Sequence, residues 1–219
     1  MAAEIAWRAG YYKLEVVNVG WDALIAGQTA DFDLAMSQIS ITEDRKKVHD
    51  FSVPYFNSDI GVLARTDAPV DEKTIKSAKV GVQQATTGAA FAQGTLGLTD
   101  VQVYPDQGDM FTALRAGQID AAMTDTSIVL AEEVANPGKV AVIGQYKTGE
   151  TYGAIYPKGN PNNATLDKII QSMIDDGTVA KLRFCAVISR LSKDFAVVDF
   201  VDNNSRRNFG QIEVEGEGT

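Results

Sequence analysis

The 219-residue chain has the ordinary composition of a soluble globular protein, with 45% hydrophobic and 22% charged residues. Its formal net charge of −9 disfavours nucleic acid and anionic membrane surfaces as partners. A single cysteine, Cys185, excludes an internal disulfide, and a single histidine, His49, argues against imidazole metal sites and a histidine-based catalytic triad.

Strands and helices are predicted to alternate along the chain, which favours an α/β fold with mostly parallel sheets. Strands are expected over apolar or β-branched runs at residues 14–19, 32–36, 58–65, 79–83, 101–104, 140–143 and 152–156, and more weakly at 184–188, 195–201 and 209–215. Helices are expected at residues 1–9 and 21–27, from near 42, from about 89, and at 107–116, 127–134 and 164–174.

The chain contains an internal similarity that predicts two related lobes. Residues 21–36 read WDALIAGQTADFDLAM, and residues 111–123 read FTALRAGQIDAAM. An aromatic residue, Ala-Leu, Ala-Gly-Gln, an apolar-Asp pair and Ala-Met recur in the same order, with three extra residues in the first copy. The alternative is chance recurrence, because helix–Gly–strand units are common in α/β folds.

Arg45 occupies an unusual position, in the first turn of the helix predicted to open near Thr42. A cation there opposes the helix dipole, which favours anions at a helix N-terminus. A surface arginine can tolerate this placement. Alternatively, the guanidinium converges with the hydroxyls of Ser37 and Ser40 on one anion, because guanidinium binds carboxylate through a planar pair of hydrogen bonds.

Polar residues follow three of the predicted strands, where ligands of open parallel sheets bind. The polar segments after these strands are residues 36–40, 83–88 and 123–125. Two lobes that bring these strand ends face to face would place Arg45 on one wall of a cleft and Asp125 on the other. Such a pair suits a zwitterion, whose carboxylate would bind Arg45 and whose ammonium would bind Asp125.

Each of these residues also has a structural interpretation. Asp125 could be the N-cap of the next helix, and Thr86 and Thr87 could be N-caps in the same way. Trp21 could stack on a ligand side chain or could be a packed aromatic at a helix start. His49 is expected to be structural.

Five stretches of the chain form a recognisable set: ISITEDRKKVHDFSVPYF at 39–56, KVGVQQATTG at 79–88, AGQIDAAMTD at 116–125, YGAIYPKGN at 152–160 and DDGTVAKL at 175–182. In sequence, order and spacing they closely resemble the extracytoplasmic solute-binding proteins of family 3, the polar amino-acid receptors of ABC importers. The resemblance covers about residues 1–182.

The resemblance implies roles for individual residues of the ligand site. Arg45 would bind the ligand α-carboxylate with help from Ser40 and Thr87, and Asp125 would bind the α-amino group. Trp21 would pack on the ligand side chain. The remaining candidate contacts are Ser37, Gln38 and Thr86.

The resemblance also implies a two-lobed receptor of the type II periplasmic-binding-protein fold, with two hinge strands that let it close over its ligand. Lobe one would comprise residues 1–66 and 149–219, and lobe two residues 67–148. The partners would be an amino acid and the membrane subunits of an ABC importer, with no cofactor. The protein would be periplasmic, or extracellular and membrane-anchored, with its signal segment outside this chain.

The sequence departs from the family at both ends. Family members begin with a strand, an aromatic-Pro-Pro-Phe loop and a hairpin before the first helix, whereas this chain starts inside that helix. Residues 183–210 bear a faint likeness to the missing piece. We therefore expect a circularly permuted or rearranged chain, whose tail supplies the first strands of lobe one, as a monomer or as a strand-exchanged dimer.

The sequence favours a non-enzymatic receptor for a polar or basic L-amino acid, because it offers no evident nucleophile–base pair. The alternative from another class is a dehydratase acting on prephenate or arogenate, which some relatives of the family are. That chemistry needs a carboxylic acid as proton donor, and Glu150 is the nearest candidate. An engineered or ancestral binding scaffold is the third possibility.

Overall fold

The computed structural model describes residues 1–182 apart from Ala30, Ala68, Pro69 and Glu72. Its helices are α1 (Ala2–Arg8), α2 (Trp21–Ile25), α3 (Glu43–Val48), α4 (Thr87–Ala90, continued by a π-helix at Phe91–Thr95), α5 (Gln107–Arg115), α6 (Thr126–Ala135) and α7 (Asn163–Asp175), with a 3₁₀ turn at Ile75–Ser77. Its strands are β1 (Asp50–Phe51), β2 (Phe56–Arg65), β3 (Val80–Gln83), β4 (Val101–Tyr104), β5 (Ala121–Asp125), β6 (Val140–Tyr152) and β7 (Ile155–Tyr156).

The described chain divides into two compact units. The terminal unit holds Met1–Asn18 and the described residues from Pro161 onward, and the central unit holds Val19–Asn160. In the terminal unit, Arg8 on α1 donates from Nε to Glu4 (2.8 Å), and from its terminal nitrogens to Asp176 (2.7 Å) and Thr178 (3.0 Å). These bonds attach α1 to the segment that follows α7.

A five-stranded sheet in the order β4-β3-β5-β2-β6 forms the core of the central unit. The α/β class is confirmed, and the sheet is mixed: β3 pairs in parallel with β4 and β5, whereas β2 is antiparallel to both β5 and β6. One face is covered by α4 and its π-helical continuation, against Ile60, Val82 and Met123. The other face packs on α5 and α6 through Leu63, Leu114 and Val129.

Two predicted strands do not form in the described part of the chain. Residues 14–19 have no ladder partner there, and Val16 and Val17 are 84% and 62% exposed. Residues 32–36 contribute a single bridge, in which Ala35 and Ile155 exchange both backbone hydrogen bonds. The β-branched composition was a poor guide here, because a strand forms only where a neighbouring strand accepts its hydrogen bonds.

The remaining predicted elements are present with shifted ends. The strand expected at 140–143 is the start of the much longer β6, which ends at Tyr152. The strand expected at 152–156 is therefore divided between the end of β6 and the short β7 (Ile155–Tyr156). The strands expected at 184–188, 195–201 and 209–215, and with them the rearranged tail, lie outside the described residues.

Candidate functional site

Arg45 lies where the sequence predicts it, in the first turn of α3. The helix begins after Thr42, whose side-chain oxygen accepts a hydrogen bond from the Arg45 backbone N–H at 3.2 Å. This N-cap fixes the start of the helix and therefore the direction in which the Arg45 side chain leaves it. Arg45 is only 8% exposed, so its charge is largely removed from water.

The Arg45 guanidinium is held by two backbone carbonyls and one aromatic ring. Nη1 donates to the Ser40 oxygen at 2.8 Å, and Nη2 donates to the Ala85 oxygen at 2.9 Å. Its Cζ atom lies 5.5 Å from the centre of the Trp21 ring, within cation–π range. These two hydrogen bonds use two of the five N–H donors of the guanidinium.

No carboxylate among the described residues lies within salt-bridge distance of Arg45. Burial lowers the pKa of Arg45, and the more distant charges of Asp125 and Glu150 oppose that shift. A buried charge without a partner is costly, by several kcal/mol in order of magnitude. The guanidinium is thus positioned by neutral carbonyls and keeps its charge available for an anion.

The turn after β3 supplies the second of these carbonyls. Ala85 has a left-handed backbone, with φ of 56°, which is uncommon for a residue other than glycine. The turn is held by Thr86, whose Oγ1 donates to the Gln83 oxygen (2.6 Å) and accepts from the Ala89 N–H (3.1 Å). Thr86 is therefore the N-cap of α4, as its structural interpretation predicts.

Trp21 is bonded to the same turn. Its indole Nε1 donates to the Gln84 oxygen at 3.1 Å, next to the Ala85 carbonyl that binds Arg45. The ring is half-buried and packs on the Arg45 guanidinium. Contact between Trp21 and a ligand side chain remains a prediction.

Asp125 ends β5 and is 5% exposed. It occupies the N-cap position of α6, but its side chain makes no capping hydrogen bond. Its Oδ2 instead accepts a 2.6 Å hydrogen bond from the Tyr152 hydroxyl, which also lies 2.9 Å from Ser127 Oγ. The carboxylate is therefore held by β6, and the capping interpretation does not describe its side chain.

Burial raises the pKa of Asp125 to about 6. The hydrogen bond from Tyr152 and the charge of Arg45 lower that pKa, while the nearby charge of Glu150 raises it. Burial also raises the pKa of the Tyr152 hydroxyl, which keeps it protonated as a donor. Asp125 is consequently ionised at neutral pH although no cation among the described residues lies within ion-pair distance.

The other predicted site residues differ in their placement. Ser40 is buried and contributes its carbonyl to Arg45, and Thr87 is half-buried as the first residue of α4. Ser37 and Gln38 are exposed, and no hydrogen bond within the described chain joins them to Arg45 or Asp125. Direct contacts thus join Arg45 to Ser40 and Trp21, and Asp125 acts on Arg45 electrostatically, whereas a role for Ser37 and Gln38 stays a prediction.

Gly88 allows α4 to approach β5 closely. A Cβ atom at this position would stand 3.1 Å from the Met123 carbonyl oxygen and 3.1 Å from the Thr124 Cα atom, both of them backbone. Residues 86–88 (TTG) therefore combine the N-cap of α4 with a glycine, the residue type that fits against β5, the strand that ends at Asp125.

Three parts of this site are not predicted from the sequence. The sequence indicates Tyr152 only as the start of a strand and Glu150 only as a candidate enzyme acid, and the Ala85 carbonyl gives no signal because it belongs to the backbone. The YGAIYPKGN stretch that begins at Tyr152 was the available clue, but only the pairing of β6 shows that it faces Asp125.

Among the described residues, no group of three or more His, Cys, Asp or Glu side chains could hold a metal ion. Across the same part of the chain, every helix is too short or too polar to cross a bilayer.

Sequence relatives of this chain are binding proteins. It is 31% identical over 170 residues to the L-cystine-binding protein TcyJ of Escherichia coli K12, an alignment that covers 74% of this chain and 63% of that protein. It is 30% identical over 155 residues to the ABC transporter glutamine-binding protein GlnH of Bacillus subtilis, covering 68% and 56%. The aligned part is thus less than two thirds of the length of either relative.

Solved structures share the fold. An ancestral arginine-binding protein bound to glutamine superposes with a TM-score of 0.75 at 31% identity, covering 83% of each chain. ArtJ, an arginine-, lysine-, histidine-binding protein from Geobacillus stearothermophilus, superposes at 0.74 and 30% identity, covering 83% of this chain and 80% of that one. These neighbours are type II periplasmic amino-acid-binding proteins, which confirms the predicted fold class.

The family profile extends over nearly all of the described residues. The profile of the bacterial extracellular solute-binding proteins of family 3 matches residues 1–183. The resemblance inferred from the five stretches is confirmed, and the chain belongs to the bacterial extracellular solute-binding proteins, family 3.

Proposed function

We propose that this chain binds a polar or basic L-amino acid and delivers it to an ABC importer. The observation that carries the proposal is a buried guanidinium and a buried carboxylate, Arg45 and Asp125, in one site without an ion-pair partner among the described residues. They influence each other electrostatically but form no salt bridge with each other. A zwitterion supplies one opposite charge to each of them.

The energetics support the same conclusion. Retaining two unpaired buried charges reduces the stability of a protein, so such charges are characteristic of sites where a ligand supplies the partners. The surrounding contacts are neutral: carbonyl oxygens bind Arg45, and a hydroxyl binds Asp125. An α-carboxylate at Arg45 and an α-ammonium at Asp125 would complete both hydrogen-bonding shells.

The relatives are consistent with this ligand class, since their names specify L-cystine, glutamine and arginine. The family model and these relatives describe solute-binding proteins, so the dehydratase-like alternative is not favoured. We further propose an extracytoplasmic location, in the periplasm or anchored outside a membrane. The chain would work as a monomer or strand-exchanged dimer, with lobes at residues 1–66 plus 149–219 and 67–148 closing on the ligand about two hinge strands.

The proposal is tested by a thermal-shift screen of the twenty amino acids, followed by calorimetric titration of those that raise the melting temperature. Arg45→Ala should lower the affinity on the order of 100-fold, because the ligand carboxylate loses a charge-assisted pair of hydrogen bonds. The affinity of Arg45→Lys should lie between those of the parent and Arg45→Ala, because lysine keeps the positive charge but lacks the planar pair of donors.

Lys47→Ala is the matched control, because Lys47 lies on the same helix and forms a surface ion pair with Asp44. Its affinity should equal that of the parent. Arg45→Ala binding as tightly as the parent, with its fold intact by circular dichroism, would show that the carboxylate is bound elsewhere.

A further inference from the structure

A second acidic residue, Glu150, lies on the same face of the central sheet as Asp125. In the β2–β6 ladder, Phe56 pairs with Tyr152 and Ser58 pairs with Glu150. Side chains two residues apart on a strand project to one face, so Glu150 and Tyr152 project together.

The neighbouring strand extends this face to Asp125. Ile60 follows Ser58 by two residues on β2 and pairs with Asp125 on β5. Directly paired residues of antiparallel strands also project to the same side. The ladder therefore places Asp125, Glu150 and Tyr152 on the face that α4 covers further along the sheet.

An irregularity in β6 puts Glu150 at this position. Ile60 pairs with Tyr146 while Ser58 pairs with Glu150, so β6 carries two extra residues between these pairs. An uninterrupted ladder would put Thr148 opposite Ser58. Asp59 holds the extra residues, because its Oδ1 accepts hydrogen bonds from the backbone N–H groups of Thr148 at 2.9 Å and Gly149 at 3.0 Å. Bulges of this kind commonly redirect a side chain beside a binding site.

The Glu150 carboxylate is also incompletely satisfied. Its Oε2 atom is buried and has no hydrogen-bond partner within the described chain. The charge of Glu150 raises the pKa of both Arg45 and Asp125, in agreement with the face that the strand register assigns to it. One cation and two anions give the site a net charge of −1, which a neutral zwitterion would leave uncompensated.

We propose that Glu150 binds a second cationic group on the ligand side chain and thereby selects a cationic amino acid, with a net charge of +1, over its neutral analogue. The ligand carboxylate and ammonium occupy Arg45 and Asp125, and the side-chain cation completes the charge balance at Glu150. This inference rests on the proposed function and adds to it the class of amino acid and the residue that chooses it.

The test compares arginine with citrulline, which has nearly the same shape and a neutral side-chain end. Calorimetric titrations at pH 7.5 should show the parent binding arginine at least about tenfold more tightly than citrulline. Glu150→Gln keeps the shape of the side chain and removes its charge. In this variant the ratio of arginine affinity to citrulline affinity should fall towards one. The fall should come from weaker arginine binding, while citrulline affinity changes by less than about threefold.

Two further variants make the comparison sharper. Glu150→Asp retains the charge on a shorter side chain and should keep part of the arginine preference. Glu43→Gln removes an exposed carboxylate that pairs with Lys46 on α3, and it should leave the ratio unchanged.

The outcomes separate the two proposals. An arginine-to-citrulline ratio that is the same in the parent and in Glu150→Gln overturns the role of Glu150 and leaves amino-acid binding intact. An equal loss of affinity for both ligands also overturns it, because Glu150 would then bind the α-ammonium. Failure of the parent to bind any amino acid overturns the proposed function, and this inference with it.

Discussion

Replacing Asp125 with asparagine should stabilise the ligand-free protein while abolishing tight binding. The carboxylate is 5% exposed and receives one hydrogen bond, from Tyr152, which an asparagine oxygen can still accept. Asparagine is neutral and nearly the same shape, so the variant removes the buried charge and little else. The ligand ammonium would lose its carboxylate at the same time.

The magnitude follows from the pKa of Asp125, which burial raises from 3.8 to about 6. A shift of this size corresponds to about 3 kcal/mol of unfavourable interaction in the ionised form above pH 6. Because the carboxylate is not fully desolvated, we expect Asp125→Asn to raise the free energy of unfolding at pH 7.5 by about 1–3 kcal/mol. For a protein of this size, that is an increase in Tm of about 3–10 °C.

The dependence on pH has a definite sign. The native state holds the Asp125 proton more tightly than the unfolded state, so this group lowers the stability of the parent as pH rises from about 4 to 6. The variant lacks that contribution. Urea unfolding of both proteins without ligand, at pH 4 and pH 7.5, measures the difference, which should be larger at pH 7.5.

Asp176→Asn serves as a control of opposite sign. Hydrogen bonds from Thr178 and Arg8 lower the pKa of Asp176 to about 2, so its ionised form is favoured in the native state. Neutralising it should reduce stability at pH 7.5. If Asp125→Asn were no more stable than the parent at that pH, the account of Asp125 as an uncompensated buried charge would be wrong.

Two other substitutions test parts of the site separately. Tyr152→Phe removes the hydrogen-bond donor that lowers the pKa of Asp125. As the pH falls from 8 to 5, the variant should therefore lose amino-acid affinity at a higher pH than the parent does. Calorimetry over this range would contradict the reasoning if both proteins lost binding at the same pH. Gly88→Ala should cost about 1–3 kcal/mol in urea unfolding, because its Cβ atom would stand 3.1 Å from the Met123 carbonyl oxygen. Gly94→Ala, where a Cβ atom meets nothing within 4 Å, should be close to neutral, and equal losses in the two alanine variants would show that close packing at Gly88 is unimportant.

Two residues in or near the site adopt backbone conformations that their residue types disfavour. Ala85 and Gln38 adopt left-handed backbone conformations with φ of 56° and 49°, although neither is glycine. The Ala85 conformation belongs to the turn that presents its carbonyl to Arg45. Conformations of this kind persist only when surrounding contacts fix them, and they collect at functional sites.

The sequence alone determined those features that depend on neighbouring residues. Thr42 caps α3, Arg45 lies in the first turn of that helix, and Thr86 caps α4. These features were predictable because a helix cap depends only on a few consecutive side chains and backbone groups. The five family stretches identified the fold class and the family for the same reason, since each is a local pattern. Asp125 was placed correctly at the end of its strand.

Tertiary structure decided the features that depend on pairing between distant segments. The predicted strand at residues 14–19 lacks a partner in the described chain, and the one at 32–36 is reduced to a single bridge. Asp125 and Glu150 share a face through the register of three strands, and the two extra residues in β6 put Glu150 opposite Ser58. Register is set by hydrogen bonds between segments far apart in the chain, so no local pattern of residues could specify that Glu150 would share a face with Asp125.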